Sequence, residues 1–325
     1  MAAEVESMFS TKAVPWHGEG KVLENYPNTT EAYCESGLNW NVEKLPMFFK
    51  RGDESIETDN FALVRDTDNF ALGSCKGSYN IFQNKDAFEW CRPLVETGMW
   101  KYETAGALKH GVIGWILLNQ GEVEIVHNDK LKQYLLLTWS HDGSKCVQAM
   151  PTSIRVVCNN TLTQALNTAV FKDKVRHSAK MHMKLEEIKK MYSESQETFK
   201  VQNEVFNKML DFKMTDGMIE QYIDKVMDKA YGKSNIAEEK DGKAKTIALT
   251  TKATLIDAAY NGSGTKELGI GNTMYAVFNG IEEAVEHSLG GNRVKDRGYN
   301  ILFGGGKSIV DTAYNAALET MAIAA

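Results

Sequence analysis

The sequence predicts an α+β protein: a largely antiparallel sheet with a packed helix in the N-terminal half, followed by a helical C-terminal half. Three observations carry this. Between Trp40 and Met150, short runs of alternating apolar and polar residues are separated by turn residues, the pattern of half-buried strands. From Leu162 to Asp228 there is no proline, and apolar residues recur three or four apart. The change of texture falls near residue 160, which predicts a strand-rich domain over 1–160 and a helical region over 161–325 packed on it.

Residues 1–30 carry Pro15, Gly18, Gly20 and Pro27 and read as irregular. Thr30–Gly37 reads as a short helix, with Thr29 or Thr30 as its N-cap and Gly37 as its C-cap. Trp40–Leu45 alternates as a strand. Phe61–Arg65 and Phe70–Gly73 flank the polar turn Asp66–Asn69 and read as a hairpin. Asn84–Thr97 has helical spacing at Phe88, Cys91 and Val95, with Asn84 placed to cap it and Gly98 to stop it. Strands follow over Tyr102–Leu108, Val112–Leu118, Tyr134–Ser140 and Val147–Met150, turned by Lys109-His110-Gly111 and Ser140–Gly143. Two or three long helices fit Leu162–Asp228. The polar, glycine-spaced run 231–246 reads as a mobile loop. The last helices are expected over Thr273–Leu289 and Ser308–Ala324.

At 325 residues, with 43% apolar and 25% charged residues, the chain can fill one large core or two ordinary ones. The formal charge of −6 excludes a surface that binds nucleic acid indiscriminately, so any such role needs a local patch. The five cysteines, Cys34, Cys75, Cys91, Cys146 and Cys158, are scattered without a Cys-x-x-Cys pair. They indicate neither a disulfide framework nor a zinc site, and they read as small buried hydrophobes. The opening Met1-Ala-Ala-Glu-Val-Glu has no signal-peptide pattern, and no apolar run reaches a bilayer span. A cytoplasmic location without membrane contact is expected.

Four constellations bear on chemistry. Phe303-Gly-Gly-Gly-Lys-Ser308 resembles a phosphate loop, but its required first glycine is replaced by Ile301, and a helix start capped by Ser308 is the simpler reading. Three glycines and Lys307 at a helix start still present N–H groups to a backbone phosphate. Residues 172–190 hold seven basic residues against three acidic ones; Lys172, Lys174, Arg176, Lys180 and Lys184 are the candidates for phosphate contact. Residues 289–308 add Arg293, Lys295, Arg297 and Lys307 against one acid. The alternative for both stretches is a solvated helix face. His177 and His182 are five apart and share no helical face at metal spacing, and His141-Asp142 lacks a nearby nucleophile, so no metal, cofactor or catalytic triad is predicted. Trp16, Trp40, Trp100, Trp115 and Trp139 lie in or beside the strands, where core packing outweighs base stacking.

Several runs match a family pattern. Pro15-Trp16-His17-Gly18, Tyr79–Phe88, Tyr102–Gly106, Ser140–Gly143, Arg155-Val-Val-Cys-Asn-Asn-Thr-Leu162 with Arg176-His177, and Asn272–His287 leading to Leu302-Phe303 are its parts. Together they resemble the phage- and plasmid-associated family catalogued as domain of unknown function 932. The resemblance implies a mobile-element origin and marks His141, Asp142, Arg155, Asn159, Asn160 and His177 as site candidates. The alternative is that Asn159 and Asn160 cap the first long helix. The leading functional reading is a non-enzymatic nucleic-acid-associated protein. It would bind or anneal single-stranded DNA in recombination or replication and self-associate. The alternatives are a structural or host-interaction protein that avoids nucleic acid, and an enzyme built on His141, Asp142, Arg155 and His177.

Overall fold

The computed structural model describes residues 5–11, 20–126, 129–155, 161–162, 174–194, 197–232, 242–262, 269–289 and 304–321. The architecture is α+β, with mostly antiparallel sheets, strands mainly in the N-terminal half and helices mainly in the C-terminal half. Its contacts form two compact units. One comprises 1–121, 134–150 and 173–195; the other comprises 122–133, 151–172 and 196–325.

Strand β1 (Val5–Thr11) pairs in parallel with β2 (Lys21–Leu23). Its other edge pairs antiparallel with β6 (Lys101–Leu108). The sheet continues through β7 (Ile113–Val126), β8 (Asp129–Ser140) and β9 (Val147–Arg155). The two-residue strands β10 (Thr161–Leu162) and β11 (Lys174–Val175) both pair with β9. A second, three-stranded antiparallel sheet holds β3 (Val42–Arg51), β4 (Glu54–Arg65) and β5 (Ala71–Lys76). The hairpin joining β4 and β5 turns where the sequence predicts it. The β3–β4 hairpin, turned by Gly52 at φ +65°, is longer than the alternation at Trp40–Leu45 implies.

Three helices cover these sheets. Helix α1 (Thr29–Glu35) starts one residue before the expected caps: Asn28 and Glu31 form a reciprocal capping box, at 3.0 and 2.9 Å. Helix α2 (Asn84–Glu96) is preceded by Gln83, whose side-chain amide pairs with both backbone groups of Val42, at 2.8 and 2.9 Å. That amide extends the edge of β3 and ties the helix to it. Asn84 is therefore not a cap, and its side chain is in the core. Helix α3 (Met181–Glu194) buries Met181, Leu185 and Ile188, and its Leu185 carbonyl accepts a 2.7 Å bond from the Trp90 indole of α2. Trp40, Trp100, Trp115 and Trp139 are all buried, in line with the core reading that strand alternation gives for Trp115 and Trp139. Of the described cysteines only Cys91 is fully buried, while Cys34 is exposed and Cys75 and Cys146 lie between, so one small-hydrophobe assignment holds in full.

The second unit contains α4 (Glu197–Asp211), α5 (Asp216–Tyr231), α6 (Gly242–Asn261), α7 (Met274–Glu283) and α8 (Gly305–Thr320). Every residue from Met274 to Glu282 is buried, which makes α7 the central helix. The sequence expects a loop over 231–246, but residues 242–246 already belong to α6. The α6–α7 contact is close because Gly280 has no side chain: a Cβ there would stand 2.8 Å from Ala259 Cα. Tyr222 of α5 donates a 2.8 Å hydrogen bond to the Ala313 carbonyl of α8. After Glu283 the helix widens into a π-turn over Ala284–Ser288, short of the uninterrupted helix expected to Leu289.

Candidate functional site

In the first unit, the turn between β8 and β9 brings His141 and Asp142 against the ends of β5, β7 and α2. His141 is 1% exposed, and its backbone N–H donates to the Val112 carbonyl at 2.8 Å. Its Nε2 lies 2.8 Å from Asn84 Oδ1, which also accepts from the Trp139 indole N–H at 3.1 Å. The Asn84 amide donates in turn to the Trp40 carbonyl at 3.3 Å. With Oδ1 as shared acceptor, His141 carries its proton on Nε2, and Nδ1 is a buried lone pair without a protein partner. Burial holds this imidazole far below the ordinary histidine range, down to about 3, so it stays neutral and uncharged next to Trp40, whose ring it meets edge-on at 5.4 Å.

His177 is built differently. It stacks on Tyr79 at 4.7 Å between ring centres, and burial is the main cause lowering its pKa. Nδ1 lies 3.2 Å from the Asn80 carbonyl and Nε2 3.3 Å from the Lys145 carbonyl, while the Asn80 N–H donates to the carbonyl of His177. A neutral ring donates to one of those carbonyls and turns a lone pair toward the other; only the imidazolium satisfies both. The two carbonyls and Asp142 therefore partly offset the desolvation. Asp142 itself accepts from Ser144 N at 2.8 Å and fixes the turn. Gly73 makes room for it: a Cβ there would lie 2.7 Å from Asp142 Cα. Tyr79 donates to the Ser140 carbonyl at 3.3 Å, and burial raises its pKa.

The exposed side of this region carries the cations. Arg176, Lys180 and Lys184 are exposed, and none forms an ion pair among the described residues. The Lys184 N–H bonds the Lys180 carbonyl at 3.2 Å, so these two lysines stand one helical turn apart at the start of α3. Lys189 is already neutralised by Glu186 at 2.6 Å. In the second unit Lys307 is paired with Asp311 at 2.9 Å, and α8 begins after Gly304 instead of at Ser308. The glycine-rich start therefore offers no free lysine.

Of the remaining candidates, Lys174 lies on β11 and Arg155 on β9, with their side chains outside the described residues. Asn159, Asn160, Lys172, Arg293, Lys295 and Arg297 also lie outside the described residues. Asn84, Trp139 and Trp40 are members of the His141 cluster that single-site reading misses, because their partners are 44 to 57 residues away. No group of three His, Cys, Asp or Glu residues able to hold a metal occurs among the described residues. No described helix is long and apolar enough to cross a membrane.

Fold and site together define an α+β protein whose histidine motif is built into the junction of strands, turn and helix, with exposed cations beside it that form no ion pair among the described residues. Residues 71–301 match the family described as Domain of unknown function (DUF932), and the chain belongs to that family. The matched span includes His141, His177 and Asn84 and excludes Trp40, Pro15–Gly18 and Leu302-Phe303. No curated protein and no solved structure matches the chain at a significant level.

Proposed function

We propose that this protein binds single-stranded nucleic acid through a local basic surface at the start of α3, as a binding or annealing factor of mobile-element recombination or replication. The single observation that carries the reading is the state of Arg176, Lys180 and Lys184: three exposed cations without ion-pair partners among the described residues, on a chain of net charge −6. Lys189 and Lys307, by contrast, are each held by a carboxylate. Arg176, Lys180 and Lys184, which have no such carboxylate among the described residues, are available to phosphate, and each contact gains from counterion release.

The histidine cluster has a supporting part in this reading. His141 lies in the core with its Nε2 committed to Asn84, so it holds the turn in place and does not face a substrate. His177 ties that turn to the segment after β5 through two carbonyls. Together they fix the backbone from which Arg176 and α3 emerge. Phage or plasmid origin and self-association belong to the same proposal.

The test is titration of a labelled single strand at about 50 mM salt, repeated as salt rises. Binding should weaken with a log–log slope of about −0.7 per phosphate contact, and the Arg176→Ala/Lys180→Ala/Lys184→Ala variant should flatten that slope by about two units. A flat titration of the wild type at low salt refutes the reading.

A further inference from the structure

The β3–β4 hairpin exposes large apolar side chains that neither sheet uses. Phe48 is 56% and Phe49 50% exposed, and residues 47–55 between them and the turn are all exposed. Past the register shift at Pro46/Phe48 the two strands continue as a ribbon, and a Cβ on Gly52 at its tip would meet nothing within 4 Å. Consecutive strand residues point to opposite faces, so Phe48 and Phe49 place one ring on each side of the ribbon. Leu45 and Met47, earlier on the same strand, are exposed as well, so β3 carries a run of apolar side chains along the ribbon. Lys50 and Arg51 follow directly, exposed and without ion pairs among the described residues. Glu57 and Glu54 stand opposite Phe48 and Arg51 in the ladder and Asp53 is exposed at the turn, so the ribbon's two cations lie on β3 and its acids on β4 and the turn.

The hairpin is also tied to the basic surface. Lys44, at the base of β3, donates to the carbonyls of Gly77 and Tyr79, at 2.6 and 3.2 Å. Tyr79 stacks on His177, the neighbour of Arg176. At a strand rise of ~3.3 Å per residue, Phe48 lies about 13 Å beyond Lys44. That is roughly the length of four stacked nucleotides of one strand.

We propose that the β3–β4 hairpin is the base-stacking element of the nucleic-acid surface, with Phe48 and Phe49 each receiving a base of a single strand whose phosphates run toward Arg176. The proposal rests on the single-strand-binding reading and adds the part of the ligand that is recognised: an unstacked base face, which a duplex does not offer. Stacking on aromatic rings is sequence-tolerant, so the preference is for single strand over duplex and not for a base sequence.

The experiment compares wild type, Phe48→Ala/Phe49→Ala, Phe48→Leu/Phe49→Leu and Phe48→Trp/Phe49→Trp in the full chain. The probe is a labelled oligothymidylate of about 20 nucleotides, longer than the usual single-strand footprint. Both alanine and leucine variants should lose on the order of 10- to 100-fold in affinity with an unchanged salt slope, since no cation is removed. The tryptophan variant should bind at least as well as wild type, and its added fluorescence should be quenched by the strand. Wild-type binding matched by the alanine or the leucine variant overturns the stacking role while leaving the phosphate reading intact. Absence of wild-type binding at low salt overturns both. A change in sedimentation of the alanine variant with unaltered strand binding also overturns the stacking role, because the hairpin then docks a second copy of the chain.

Discussion

Asn84→Leu removes a polar group from the centre of the first unit while keeping the number and branching of side-chain heavy atoms. Asn84 is 0% exposed, and its amide meets three partners: the Trp139 indole, His141 Nε2 and the Trp40 carbonyl. Each buried partner left unpaired costs roughly 1–3 kcal/mol. One loss is recoverable. Trp139 Nε1 lies 3.3 Å from His141 Nε2, so a switch of the imidazole proton to Nδ1 lets Nε2 accept the indole N–H. The Trp40 carbonyl and the displaced imidazole proton are then the two unsatisfied groups, and the expected loss is about 2–6 kcal/mol. The residues of the second unit include no tryptophan, so tryptophan fluorescence during urea unfolding reports on the first unit alone. Asn84→Leu/His141→Leu removes donor and acceptor together and should be less destabilised than the sum of its two single variants. A midpoint shift for Asn84→Leu equivalent to less than about 0.5 kcal/mol, the usual range of an uninvolved surface change, would refute the network as drawn.

Three further outcomes follow from the same packing. His141 is held near 3, whereas an unfolded histidine titrates near 6.5; the unfolded chain therefore binds this proton first as pH falls. Stability is full above about pH 6.5 and declines below it by about 1.4 kcal/mol per pH unit; His141→Gln should remove that component from a pH series of urea midpoints. Gly73→Ala drives a methyl against the backbone of Asp142, and Gly280→Ala does the same between α6 and α7, each costing about 1–3 kcal/mol by overpacking. Tryptophan fluorescence reads the first and far-ultraviolet dichroism the second. Lys307→Ala breaks only its pair with Asp311 and should cost less than about 0.5 kcal/mol, with strand affinity unchanged in the same titration that tests Arg176, Lys180 and Lys184.

Periodicity made most elements legible, and what it missed has local causes. The Asp66–Asn69 turn, the Lys109-His110-Gly111 turn and the Asn84–Glu96 helix are written in adjacent residues, and the structure has all three. Helix α6 was hidden because its first turn, Gly242-Lys-Ala-Lys, continues a polar, glycine-spaced run whose composition reads as loop. The β3–β4 hairpin carries a turn signal at Arg51-Gly52-Asp53, but its exposed strands lack alternation because neither face is buried. Asn84 reads as a cap from its neighbours alone. Its role in the core depends on His141, 57 positions on, and no single sequence reveals a pairing at that distance.

The two histidines of the family motif show why residue type alone does not locate a site. Both sit within the matched span and both are shifted downward by burial, yet they differ in what protonation would do. A proton on His141 Nδ1 would add a buried charge with no carbonyl or carboxylate placed to receive it. A proton on His177 would complete a bond to a second carbonyl already at 3.3 Å, with Asp142 contributing a favourable charge. The first residue can only hold the core together. The second, half-buried against Tyr79, sits where a charge is tolerated and next to Arg176, so a phosphate bound there would favour its imidazolium form. If the basic surface binds a polyanion, strand binding should therefore raise the His177 pKa and leave His141 untouched, a difference that nuclear magnetic resonance titration of the two rings reads directly. A shift at His141, or none at His177, would place the strand elsewhere on the molecule.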